Sequence, residues 1–165
     1  MKIELKSIRF SEAMSEETNA FTANLYVNGK LAGYCKNTGQ GGCTDYYGIE
    51  KASSDIIKEA EAYCESLPDI DYGTFTIKNN LEHTIDQLLE DWLKAKETKK
   101  LERKMKTCIL VGIPNDSSYG VYNFKQPLSN VKLVLLQDSI KRIKNNLHKG
   151  EVILNTNLTA LGVTV

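Results

Sequence analysis

Several absences sort this chain before any motif does. None of its 165 residues sits in an apolar run near the ~18 that a membrane-crossing helix needs, so a spanning helix is excluded. With only three prolines and eleven glycines, it is neither collagen-like nor a proline- or glycine-rich linker. An apolar share of 41% and a charged share of 25% are those of a packed domain, which excludes a disordered chain. The four cysteines (Cys35, Cys43, Cys64 and Cys108) include no C-x-x-C pair, and no pair of potential ligands has zinc spacing. No cofactor or metal is therefore expected. The opening MKIELKSIRF has no apolar run of signal-peptide length, which predicts an unexported, cytoplasmic protein with four free thiols. Histidine is scarce as well: His83 and His148 are the only candidates for a base beside a nucleophilic cysteine.

Charge is present in balance but not in mixture. The total is 21 Lys and Arg against 21 Asp and Glu. Residues 1–93 hold 8 basic against 16 acidic side chains, a balance of −8, and residues 94–165 hold 13 against 5, a balance of +8. Such polarity orients a partner or a second copy of the chain and says nothing of fold.

Periodicity predicts the elements. Ile3 and Leu5 alternate in one phase and Ile8 and Phe10 in the other, which predicts a strand with a bulge. Phe21, Ala23, Leu25 and Val27 alternate up to Asn28-Gly29, the dipeptide of a two-residue hairpin turn in which both residues need positive φ. An unbroken hairpin sets Leu25 opposite Ala32 and Ala23 opposite Tyr34. Ile56, Ile57, Ala60, Tyr63, Cys64 and Leu67 make one helical stripe ended by Pro68; residues 71–78 suggest a short strand. Asn79 or Asn80 caps a longer helix with Leu81, Ile85, Leu88, Leu89 and Trp92 on its apolar face, reaching about Lys106. Cys108–Ile113 reads as a strand buried on both faces, 114–127 as a turn-rich stretch with a strand near Val121, and Leu133–Leu147 as a third helix stopped by Gly150. Val152–Leu154 closes the pattern as an edge strand. The expected class is α+β: an antiparallel hairpin or meander packed with two helices, then a β-α unit with an edge strand. It forms one domain over 1–165, divisible into subdomains 1–106 and 107–165.

The strongest site signal is the loop Asn37, Thr38, Gly39, Gln40, Gly41, Gly42, Cys43, Thr44. Closely spaced glycines let backbone N–H groups converge on an anion, Thr38, Gln40 and Thr44 add side-chain donors, and Tyr46 or Tyr47 offers a stacking ring. No Lys-Ser/Thr follows, so this is no Walker loop, and the spacing is not G-x-G-x-x-G. The competing account is a wide turn that needs glycine for geometry alone. Lys99, Lys100 and Arg103, within the run of seven basic residues 94–106, are the expected partners of an anionic ligand; Lys141, Arg142, Lys144 and Lys149 form a second cluster. The alternative for both is a solvated helix end whose cations suit the dipole. His148, expected in the last turn of the third helix, is explained in the same way. No aromatic residues interleave with the 94–106 run, so nucleic acid is not expected there.

Ser15-Glu-Glu-Thr18, Phe21-x-Ala23, Leu25-Tyr-Val-Asn-Gly-Lys30, Asn37-x-Gly39-x-Gly41-Gly42-x-Thr44 and the tail Glu151–Leu158 together resemble a group of small proteins of unassigned activity from bacteriophages and mobile elements. The resemblance implies a host-cytoplasm setting in which small proteins act by binding, either blocking a host or defence factor or sequestering a nucleotide signal. It carries over no catalytic residue. The expected function is accordingly a non-catalytic binding protein with a nucleotide-like anion at the loop. A protein–protein inhibitor of a host factor is the alternative, and an enzyme using Cys43 or the carboxylates Glu16, Glu17, Asp45 and Glu50 is the third reading. A homo-oligomer is compatible with each.

Overall fold

The computed structural model describes residues 1–114, 116 and 118–163; Asn115 and Ser117, inside the turn-rich stretch, fall outside the described residues, as do the last two. The described residues form three α-helices and nine strands in an α+β arrangement. They fall into two compact units, Met1–Leu93 and Lys94–Val165.

The first unit is built on a four-stranded antiparallel sheet in chain order: β1 (Ile3–Phe10), β2 (Phe21–Val27), β3 (Lys30–Asn37) and β4 (Asp45–Gly48). The phase change in β1 is a register shift between Lys6 and Arg9, with Ser7 at a φ of 53°. Asn28 and Gly29 turn the chain with φ of 48° and 79°, and Val27 pairs with Lys30. The hairpin is not unbroken, however. A second shift between Leu25 and Tyr26 sets Leu25 opposite Gly33 and Ala23 opposite Cys35. Packing explains this correction. Opposite residues share a face, so the slip puts the small Cys35 thiol in the core and turns Tyr34 outward against Tyr47, ring centroids 5.5 Å apart. Residues 45–48, left without an element in the sequence pattern, extend the sheet because Gly33 has no side chain: a Cβ there would overlap the Tyr47 carbonyl.

Two helices cover the inner face. Helix α1 (Lys51–Glu65) contributes Ile57, Ala60 and Cys64, and α2 (Leu81–Met105) contributes Leu81, Ile85 and Leu89, all buried with Ala23, Leu25, Val27 and Cys35. Asn80 caps α2 by accepting the His83 N–H at 2.7 Å. Between the helices the expected single strand is a small hairpin, β5 (Ile70–Asp71) with β6 (Thr76–Ile77).

The second unit takes the last turns of α2, then β7 (Cys108–Gly112), β8 (Gly120–Asn123), α3 (Leu133–Asn145) and β9 (Val152–Ile153). All of β7 is buried, as its apolar run predicts, and it is the middle strand of an antiparallel sheet ordered β8-β7-β9. Leu136, Ile140 and Ile143 seat α3 against Ile109, Val111 and Leu158. The unit begins at Lys94 rather than near 106 because Leu101 and Met105 of α2 pack with Cys108, Leu110 and Leu154. The end of α3 also differs from expectation. The helix stops at Asn145, and Gly150 takes its left-handed φ of 90° in the loop beyond. His148 therefore lies outside the helix, where its backbone N–H bonds Glu151 Oε2 at 2.7 Å.

Candidate functional site

The loop after β3 is ordered by one side chain. Asn37 Oδ1 accepts the Thr18 hydroxyl (2.8 Å) and the Gly39 N–H (2.9 Å), and its Nδ2 donates to the Gly42 carbonyl (3.0 Å) and to Thr44 Oγ1 (3.2 Å). Every hydrogen-bonding group of one amide is thereby used to close a single turn. Gly39 is buried at a φ of 89°, and a Cβ there would overlap the Met14 carbonyl. A convergent set of backbone N–H groups does exist, but on the other side of the contact. The N–H groups of Glu16, Glu17 and Thr18 all point at the Gly39 carbonyl, at 2.9, 3.0 and 3.3 Å.

Three of the backbone donors that the glycine spacing assigns to an anion are engaged within the protein. Gly39 N–H goes to Asn37, Gly41 N–H to Thr18 Oγ1 (3.3 Å), and Thr44 N–H to Glu82 Oε1 (2.9 Å). Thr38, Gln40, Gly41, Gly42 and Cys43 are exposed and Thr44 is buried. Tyr46 lies on the inner face of the sheet, where its hydroxyl donates to Glu61 of α1 at 2.8 Å and its pKa is pushed up to about 12, mainly by burial and then by that carboxylate. It ties β4 to α1 and is not presented to the loop. Lys99, Lys100 and Arg103 belong to the second unit, where Lys100 Nζ bonds Glu97 at 3.2 Å, one turn away.

What faces the loop is a row of carboxylates. Glu82, Asp86 and Glu90 recur every four residues along α2, one position on from the buried Leu81, Ile85 and Leu89. Glu82 accepts the Thr44 N–H, and Asp86 Oδ1 accepts the Thr44 hydroxyl at 2.6 Å. Thr18, Asn37, Gly42, Thr44, Asp86 and Glu90 line a cavity of about 200 Å³ floored by Leu89. Burial raises the pKa of Asp86 above the usual aspartate value; the Thr44 hydroxyl opposes this, and the charges of Glu82 and Glu90 add to it.

The sequence pattern named Thr44 and Asn37 but missed this row, whose signal was the four-residue spacing beside the apolar stripe. Of the loop carboxylates, Glu17 reaches Gly41 and Asp45 forms a 4.0 Å pair with Lys36. Cys43 is exposed, and the Glu82 carboxylate pushes its thiol pKa up, the reverse of what activates a nucleophile. Among the described residues no group of three or more His, Cys, Asp or Glu is placed to hold a metal ion, and no helix is long and apolar enough to cross a membrane. The chain matches no protein-family model, no curated protein and no solved structure.

Proposed function

We propose that this is a non-catalytic binding protein whose loop pocket takes a cationic group, a protonated amine or a guanidinium, in place of the anion that the glycine spacing suggests. The carrying observation is that Asp86 and Glu90 line the cavity beside the loop, while the Gly39, Gly41 and Thr44 N–H groups are taken up by Asn37, Thr18 and Glu82. A cation seated beside Asp86 and Glu90 relieves their mutual repulsion and stabilises Asp86 in its charged form. In the host-cytoplasm setting implied by the bacteriophage resemblance, that group is a free amine or a basic side chain of a host protein.

Calorimetry with methylammonium and methylguanidinium at low salt tests the reading. Wild type should release heat, Asp86→Asn should abolish it, and affinity should fall as pH is lowered and Asp86 protonates. If AMP binds instead and Gly41→Val removes that binding, the anion reading of the loop replaces this one.

A protein partner is the second reading, favoured by the β5–β6 hairpin. Tyr72 and Phe75 stack there at 5.2 Å while half exposed, and Ile77 is exposed beside them. Exposed aromatic clusters of this kind mark contact surfaces. Tyr72→Ser with Phe75→Ser should then abolish co-purification of a host protein that binds wild type and leave the methylammonium heat unchanged.

A further inference from the structure

The second unit carries the excess of positive charge, 13 Lys and Arg against 5 Asp and Glu over residues 94–165, and it has a cleft of its own. Tyr122 of β8 and Phe124 beyond its end are two residues apart, so their rings project to one side of the extended chain. Ser139, Arg142, Ile143 and Asn146 follow the i, i+3, i+4, i+7 spacing of one face of α3 and of the residues just past it. These six residues line a single opening of about 330 Å³. Ile143 is buried and forms the floor, Phe124 is half buried, and Tyr122 is 44% exposed, which leaves aromatic surface accessible to a ligand. The polar walls are partly committed: Ser139 Oγ donates to the Leu135 carbonyl (2.8 Å) and Asn146 Nδ2 to the Arg142 carbonyl (3.0 Å). Both side-chain oxygens remain as acceptors. The Arg142 guanidinium makes no ion pair among the described residues, and Lys141 and Lys144 flank it in sequence.

We infer that this cleft binds a free nucleoside monophosphate or a ligand of that chemistry, a planar amino-bearing ring that carries one phosphate. The ring stacks on Tyr122, its amino group meets the Ser139 and Asn146 oxygens, and the phosphate takes the planar fork of Arg142. The volume lies at the lower end of the ~300–1,000 Å³ of small-molecule sites, which suits one ring system with one anionic group. An apolar floor, an aromatic wall and one convergent cation are the usual composition of such a site. This inference does not rest on the loop pocket, which lies in the first unit.

Calorimetry of the whole chain with AMP tests it. Binding is expected, with adenosine and inorganic phosphate each at least tenfold weaker. Arg142→Gln should weaken AMP at least tenfold, and Tyr122→Ala should do so by a similar factor; both side chains are exposed, so circular dichroism should show folding unchanged. Lys141→Gln removes the same charge beside the cleft without lining it and should change AMP binding less than threefold. Asp86→Asn should leave AMP binding as it is, so the two sites can fail separately. Equal losses from Lys141→Gln and Arg142→Gln would reduce the site to diffuse charge and overturn the inference. Absence of AMP binding at millimolar ligand would do the same, as would tighter binding of a 5′-phosphorylated five-nucleotide strand than of AMP.

Discussion

Each unit contains an asparagine that closes its backbone, and the two asparagines stand in different surroundings. In the second unit Asn155 is buried. Its Oδ1 accepts the Leu110 N–H at 2.7 Å and its Nδ2 donates to the Cys108 carbonyl at 2.9 Å, so an amide continues the pairing of β7 where β9 has ended. In the first unit Asn37 makes four comparable bonds, but it is half exposed and its neighbours across the cavity are Asp86 and Glu90. A polar hub set in a core serves the fold, because its amide groups are satisfied by the backbone around it and it is nearly closed to solvent. A hub at the mouth of a cavity faces carboxylates, one of them held above its usual pKa, and the proposed cation site rests on that surrounding. The glycines alone do not reveal it.

The largest expected effects test the turn. Gly39→Val combines a left-handed φ with overlap on the Met14 carbonyl and should cost about 3 kcal/mol or more. Gly29→Val meets open space and bears the φ strain alone, about 1–2 kcal/mol. Gly42 has neither constraint, so Gly42→Ala should stay within about 0.5 kcal/mol of wild type in urea unfolding. Equal costs at Gly39 and Gly42 would show that the loop is held by something other than its conformation.

The asparagines come next. Asn155→Ala leaves a buried N–H and a buried carbonyl without partners and should cost about 2–3 kcal/mol in the same assay. Asn37→Ala should cost less, about 1–2 kcal/mol, because water can reach most of the groups it releases. The reverse order would move the sealed hub to the first unit and undo the contrast.

How much of this was legible in the sequence depends on the range of the interaction. Asn28-Gly29, the stripe Leu81, Ile85 and Leu89, and the apolar run Cys108–Gly112 were readable because each is decided by neighbours a few residues away. The bulge that places Cys35 opposite Ala23 was not, since it is decided by what the helices pack against. The end of α3 differs from the expectation because the left-handed Gly150 belongs to the loop beyond, while the helix is capped earlier at Asn146, at a φ of −108°. For the site, local spacing picked out Asn37, Gly39 and Thr44. Their bonding to Thr18 and to Glu82 and Asp86 spans 19 to 42 residues, and it is this long-range part on which the proposal of a cationic ligand rests.

The smallest expected effect is the most specific to the acidic row. Burial raises the Asp86 pKa in the folded chain above the ordinary value of 3.8, so the folded state binds the proton more tightly than the unfolded one. The stability linked to that proton is fully present below the unfolded value and is lost as pH rises through the folded one. At pH 7 the charged Asp86 is therefore a net cost to the fold. Asp86→Asn keeps an oxygen to accept the Thr44 hydroxyl and removes the charge, so it should stabilise the protein at pH 7, by less than about 1 kcal/mol because the side chain is half exposed and screened. At pH 3, where both states of the wild type are protonated, the two proteins should unfold together. The gain should appear between these limits, beginning just above pH 3.8, and saturating methylammonium at pH 7 should reduce it by stabilising only the wild type. A variant less stable than wild type at pH 7 would mean that the Thr44 bond to a charged carboxylate outweighs its burial. Asp86 would then belong with Asn155 among the groups that hold the fold.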